Sequence, residues 1–207
     1  MASSANFEEV PQQSLVQSQG AARDTAVTIP VGLPGGVLQG PSDDGSGGEA
    51  FVKRGRNFHF MPAAQYALWI ASQVRQSRRL LHDWAEENQI PSAKELTDDL
   101  WDTGLLLELS GNSEDNALLR HVTVHLVTYG ARLSTDGWFE VAHDGQPAVR
   151  LSSALYMLLL YCDGRHSLWD ACVDLAEADV GPAKVATQLL DSLPALVQAN
   201  VVLLDAI

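Results

Sequence analysis

An internal repeat constrains this chain more than any other feature of its sequence. Ser77 and Ser167 lie ninety residues apart, within YALWIASQVRQSRRLLHDW and YMLLLYCDGRHSLWDAC, which align with each other. Farther along, LWDTGLLLEL aligns with LVQANVVLLD and places Gly104 opposite Asn200. Both residue types tolerate the left-handed backbone conformation that ends many helices. The repeat therefore predicts two copies of one folding unit.

The first copy has the pattern of a hairpin, three helices and a strand. FVKRGRNFHFMP predicts a hairpin that turns near Arg54 and Gly55. Three helices follow, with Pro62, Ser77 and Pro91-Ser92 at their starts. LLLEL, residues 105–109, predicts the closing strand.

The second copy repeats this pattern. HVTVHLVTY (residues 121–129), the two sides of Asp136-Gly137 and GQPAVRL (residues 145–151) predict strands. Helices are expected over Ser153–Tyr161, Ser167–Glu177 and Pro182–Gln198, the last kinked or broken at Pro194. VVLLD, residues 201–205, closes the copy as a strand. The predicted fold class is α+β, with two winged-helix-like units, each a β element plus three helices.

Changes in local amino-acid composition along the chain predict the domain boundaries. Residues 1–50 are rich in Gly, Ser and Pro, as in GLPGGVLQGPSDDGSGGEA, and predict a flexible, disordered tail. One island, AVTIPVGL (residues 26–33), has strand-like residues that could instead dock on a sheet edge. The first unit is expected over residues 51–110 and the second over 117–207, separated by the polar loop Gly111–Asn116.

Composition limits the function classes. The chain has 207 residues, 46% of them hydrophobic, and a formal net charge of −13. This charge disfavours nucleic acid and anionic membranes as partners, because both bind mainly through Lys and Arg. Cys162 and Cys172 are expected to be buried free thiols. Without a secretion signal or a long apolar run, the predicted localisation is cytoplasmic.

The second copy resembles the PqqD-like family of peptide chaperones from pyrroloquinoline quinone biosynthesis. The resemblance rests on VRLSSALYMLLLYCDGRHSLWDACVDLAEADVGPAKVATQLLDSL and covers about 85 residues, from Val122 to Asp205. The first copy departs from the pattern, with QVRQS where the second has CDGRHS. Related domains recognise leader peptides of ribosomally made, post-translationally modified peptides. The resemblance implies a leader-binding accessory protein that presents a precursor to a separate modifying enzyme, for example of the lanthipeptide type.

The resemblance also implies a binding site. A leader peptide would add as a strand to the exposed hairpin edge, with its side chains in a groove beside the third helix. The residues at these positions are Trp138, Phe139, Val141, Lys184, Val185, Gln188 and Leu189. The alternative is that all of them belong to the core. Asp163 and Gly164 are expected to form a structural turn between two helices.

Two other functions stay open, a winged-helix DNA-binding regulator and a non-catalytic scaffold subunit of an enzyme complex. The basic stretches KRGR (residues 53–56) and RQSRR (residues 75–79) are the candidates for phosphate contacts. No catalytic motif is present, so the chain is not expected to be an enzyme. Neither His82 with Glu86 nor His121 with His125 is expected to bind metal. No cofactor is predicted, and the oligomeric state is left open.

Overall fold

The computed structural model describes residues 26–38, 48–110, 115–127, 131–141, 149–162, 164–176 and 181–207. The predicted α+β class is confirmed. The first half contains β1 (Val27–Pro30), β2 (Leu33–Leu38), β3 (Glu49–Arg54), β4 (Asn57–Pro62), α1 (Ala63–Ala71), α2 (Arg78–Glu87), α3 (Ala93–Asp102) and β5 (Leu106–Leu109). The second half contains α4 (Asp115–Leu118), β6 (Val122–Leu126), β7 (Ala131–Leu133), β8 (Phe139–Val141), β9 (Val149–Leu151), α5 (Ser153–Tyr161), α6 (Leu168–Asp174), α7 (Pro182–Gln198) and β10 (Val202–Ala206).

Apart from the short helix α4, which precedes β6, the two halves share one order of elements. Each has a strand, a three-stranded antiparallel sheet, three helices and a last strand. The sheets run in the order β2-β3-β4 and β7-β8-β9. The last strand returns antiparallel to the first, pairing β5 with β1 and β10 with β6. The sequence repeat therefore corresponds to a repeat of structural elements.

Local chemistry explains why equivalent helices begin and end at equivalent places. The Ser77 hydroxyl accepts a hydrogen bond from the Leu80 N–H at 3.2 Å, and Ser167 forms a capping box with Asp170. After the third helices, Gly104 and Asn200 have φ values of 69° and 54°. The predicted N-caps and left-handed exits are confirmed.

The prediction of a tail through residue 50 is wrong for residues 27–30, 33–38 and 49–50, which lie in strands. β1 pairs with β5 in the register Ile29 to Leu107, as the docking alternative allowed. Ile29 and Val31 are each 1% exposed and pack in the core of the second half. Burial of these apolar side chains orders the segment despite the glycines and prolines that follow it.

Two further expectations differ from the structure. α7 continues through Pro194 as one helix of 17 residues, so a break at Pro194 is absent and the alternative, a kink, stays a prediction. Leu193 and Leu196 on either side of Pro194 are buried, and the Pro194 carbonyl accepts a hydrogen bond from Gln76 Nε2 at 2.7 Å. The predicted loop Gly111–Asn116 ends in the short helix α4, and its residues 111–114 lie outside the described residues.

Two hydrophobic cores form, and the β1–β5 sheet lies between them. Leu105 and Leu106 pack with Trp69 in the core of the first half. Ile29 and Leu109 pack with α5, α6 and α7 in the core of the second half. The β1–β5 sheet therefore contributes buried side chains to both cores.

A second link joins the turn after β3 to β10. Asp205 is buried, and its Oδ1 accepts hydrogen bonds from the Gly55 N–H at 2.6 Å and the Ala206 N–H at 2.8 Å. Its Oδ2 lies 3.6 Å from His125 Nε2 and 3.8 Å from Lys53 Nζ. Nearby, the Gly32 N–H donates to the Leu204 carbonyl at 2.7 Å.

Candidate functional site

The sheet of the predicted site is three-stranded, and β8 is its middle strand. β8 pairs antiparallel with β7 on one side and with β9 on the other. Its backbone groups are therefore committed on both sides, so a peptide cannot add to it. The expectation that the segment with Trp138, Phe139 and Val141 supplies the exposed edge is wrong, and Trp138 lies in the loop before β8.

The inner face of this sheet belongs to the core. Phe139 stacks on Tyr156 of α5 with ring centroids 4.2 Å apart, and it is half-buried. Val141, two residues on and on the same face, is completely buried. Val141 therefore cannot contact a peptide, and its assignment to the binding surface is corrected to a core position.

The predicted helix residues also divide between core and surface. Lys184 and Gln188 of α7 are exposed, whereas Val185 is half-buried against the core of the second half. Leu189 is completely buried, so its assignment to the binding surface is likewise corrected. Helical spacing placed these residues near one another but did not show which way the helix faces.

The sheet has two outer edges in the described residues, β7 and β9. The sequence did not single out β7. Its outer side pairs with no strand of the described residues. The Ser134 N–H donates to the Trp138 carbonyl at 2.8 Å. Since bonded and non-bonded pairs alternate in antiparallel strands, the Leu133 N–H and C=O point away from β8. The Leu133 side chain is 61% exposed, so this edge presents both backbone and apolar surface.

The outer face of the sheet is charged and largely self-neutralised. Arg132 pairs with Glu140 at 2.9 Å, and Arg150 pairs with Asp136. The guanidinium of Arg150 also lies 5.5 Å from the ring centroid of Trp138, which is partly exposed. A hydrogen bond from the Ser134 hydroxyl, followed by the interaction with Arg150, lowers the pKa of Asp136. The two ion pairs and Ser134 line a shallow concavity around the loop before β8.

Gly164, expected in a turn between two helices, lies between α5 and α6. Gly164 has φ +78°, and a Cβ there would lie 2.6 Å from His125 Cε1. Glycine is required both for the left-handed backbone and for the close approach of the imidazole. Asp163 lies outside the described residues.

The basic stretches considered for phosphate binding are largely engaged within the chain. Arg54 donates to the Thr103 carbonyl at 3.0 Å, and Arg78 donates to Glu108 in a two-point ion pair. Arg79 lies 4.0 Å from Asp83. These carboxylates and carbonyls offset the positive charge that a nucleic acid would need.

Within the described ranges, no group of three or more His, Cys, Asp or Glu side chains could hold a metal ion. No helix in the same part of the chain is both long and apolar enough to cross a bilayer. No known protein family, curated protein or solved structure matches this chain. The candidate site therefore rests on geometry alone.

Proposed function

We propose that this chain is a leader-peptide-binding accessory protein, built from two winged-helix-like units, that presents a precursor peptide to a separate modifying enzyme. The observation that carries the proposal is the β7 edge, with outward backbone groups at Leu133 and no strand beside it in the described residues. An extended peptide can add to such an edge as a further strand. The proposal assigns no chemical step to the chain.

Comparison with the first half favours β7 over the equivalent edge strand β2. β2 contains Pro34, and its pairing with β3 shifts register between Pro34 and Gly36. Proline and bulges are features that protect sheet edges from further pairing. β7, with the sequence Ala-Arg-Leu, has neither. The second half is therefore the better candidate for strand addition.

Exposed side chains of the second half would supply specificity. Leu133 and partly exposed Trp138 offer apolar contacts. Lys184 and Gln188 are exposed on α7, and Val185 of the same helix packs against the same core cluster as Phe139 does. The ammonium of Lys184 would favour a peptide with acidic side chains.

The test is a fluorescence-anisotropy titration with labelled short peptides encoded by neighbouring genes. Leu133→Pro removes the outward N–H and should weaken binding at least about tenfold, the effect of a lost hydrogen bond and edge fit. Leu133→Ala keeps the N–H and removes only side-chain contact, so it should weaken binding less. Equal binding by both variants and the wild type would exclude β7 as the site.

A promoter duplex titrated in parallel addresses the regulator alternative. Binding of the duplex that falls steeply with salt, without a peptide signal, would favour a DNA-binding function. If neither probe binds, the scaffold alternative is favoured, and affinity capture with a candidate enzyme is the next measurement.

A further inference from the structure

The outer face of the β2-β3-β4 sheet is an exposed aromatic surface. Phe58 and Phe60 on β4 are 57% and 62% exposed. Phe51 on β3 lies beside both, with ring centroids 5.8 Å from each. Ala50 and Val52, which alternate with Phe51, are buried, so the three rings are on the face turned away from the core. We call this surface the aromatic face.

The second half shows that folding does not require such a face. Pro62 and Ser152 are the N-caps of α1 and α5, so Phe60 and Arg150 occupy equivalent positions two residues earlier. In the strand register, Phe60 lies directly opposite Phe51, and Arg150 lies directly opposite Glu140. The same sheet position thus holds an aromatic pair in one half and a pair of opposite charges in the other. The aromatic choice is not explained by the packing of its own half.

The neighbouring strand leaves this face open. Gly35 and Gly36 of β2 lie opposite Phe51, and a Cβ at Gly35 would overlap the Phe51 ring. Gly36 has φ +94°, and a Cβ there would meet no atom of the described residues within 4 Å. The two glycines therefore remove side chains that would otherwise flank the central ring.

The positions of the charged side chains on β3 indicate which partner would cover the aromatic face. Glu49, Phe51 and Lys53 all point outward, with the carboxylate and the ammonium on opposite sides of the ring. A two-fold axis over Phe51, perpendicular to the strand, would place Glu49 of one copy against Lys53 of another. Lys53 Nζ is 3.8 Å from Asp205 Oδ2, beyond hydrogen-bonding distance, so its donors remain open to a second carboxylate.

We propose that the aromatic face is an isologous contact through which two copies of this chain associate. Three strands about 4.8 Å apart and about 20 Å long give a flat area of about 300 Å² per copy. This is below the roughly 800 Å² per partner of a standard interface, so the dimer is expected to be weak and reversible. The proposal is independent of peptide binding at β7.

Sedimentation equilibrium of the full chain tests the proposal over a concentration series that brackets the micromolar range. Phe60→Arg installs the residue that the second half carries at the equivalent position, and it should weaken dimerisation at least about tenfold. Glu49→Lys places like charges together across the two-fold axis and should also weaken it. Leu160→Arg on α5 changes a side chain that is 49% exposed on another surface, and it should leave dimerisation unchanged.

Circular dichroism of each variant confirms that it folds, and Phe60→Ser provides a second, uncharged probe of the same ring. Dimerisation of the wild type that is lost in both Phe60 variants and retained in Leu160→Arg supports the proposal. A wild-type chain that stays monomeric throughout the series overturns it. Dimerisation that survives Phe60→Arg, or is lost in Leu160→Arg, overturns it as well, because the contact then lies elsewhere.

Discussion

Two glycines in the second half separate backbone strain from steric contact at the residue scale. Gly164 and Gly137 have φ values of +78° and +85°. Among the described residues, only Gly164 of these two has a neighbour, His125, where a Cβ would be. Gly137→Ala should lower the free energy of unfolding by about 1 kcal/mol through strain alone. Gly164→Ala should lower it by about 2–3 kcal/mol, because the imidazole must also move. Urea denaturation of both variants measures the difference, and equal losses would contradict the contact.

Asp205 gives a second prediction, since it links the halves through its carboxylate. Asp205→Ala would leave the N–H groups of Gly55 and Ala206 without their acceptor, and should cost about 2–4 kcal/mol. Asp205→Asn keeps the Oδ1 acceptor and should cost about half as much. Chemical denaturation again supplies the measurement. A loss below about 0.5 kcal/mol for the alanine variant would show that this link is unimportant for stability.

A third prediction concerns the protonation state of the Cys172 thiol. Burial raises the pKa of its thiol to about 11, so the native thiol stays neutral at pH 8. Above an ordinary thiol pKa of about 8.5, the unfolded chain loses its proton first, and stability falls as the pH rises. Thiol-reactive dye should label native protein slowly at pH 8 and label two thiols per chain in denaturant. Rapid labelling of the native protein would contradict this burial.

At the scale of elements, β1 is expected to contribute to the stability of the folded chain through its buried side chains. Ile29→Ala removes a side chain that is 1% exposed and should cost about 2–4 kcal/mol. Val37→Ala on β2, where the side chain is 51% exposed, is the matched control and should cost under about 0.5 kcal/mol. If both variants unfold at the same denaturant concentration as the wild type, β1 is not part of the folded core.

The sequence predicted the helices well, because their signals are local. Ser77 and Ser167 mark helix starts through hydrogen bonds to residues only three positions away. β1 was harder to recognise, since its four residues are followed by Gly- and Pro-rich sequence and gain their stability from β5, far along the chain. Composition alone could not show that partner.

The prediction of the candidate site was partly wrong for a different reason, because it depends on long-range packing. Alternation along β8 correctly indicates that neighbouring side chains point to opposite faces of the sheet. It does not indicate which face the helices cover. Val141 and Leu189 were assigned to a surface and are in the core. Strand order is equally nonlocal, so the central position of β8 and the free edge at Leu133 follow only from the pairing of β7 and β9.

At the scale of the whole molecule, the shared β1–β5 sheet couples the two cores. Since Ile29 and Leu109 pack in one core while Leu106 packs in the other, neither half can open without disturbing this sheet. Scanning calorimetry should therefore show one cooperative transition. Two resolved heat-absorption peaks would mean that the halves unfold separately.

The link between Gly55 and Asp205 has a consequence for how the molecule is made. It joins groups 150 positions apart, and Ile29 belongs to a core whose helices are synthesised much later. Closing such long loops is entropically costly and slows folding. While the chain grows on the ribosome, the apolar residues of β1 must wait for the second half. Molecular chaperones that shield short apolar segments would have their greatest effect on yield during this interval.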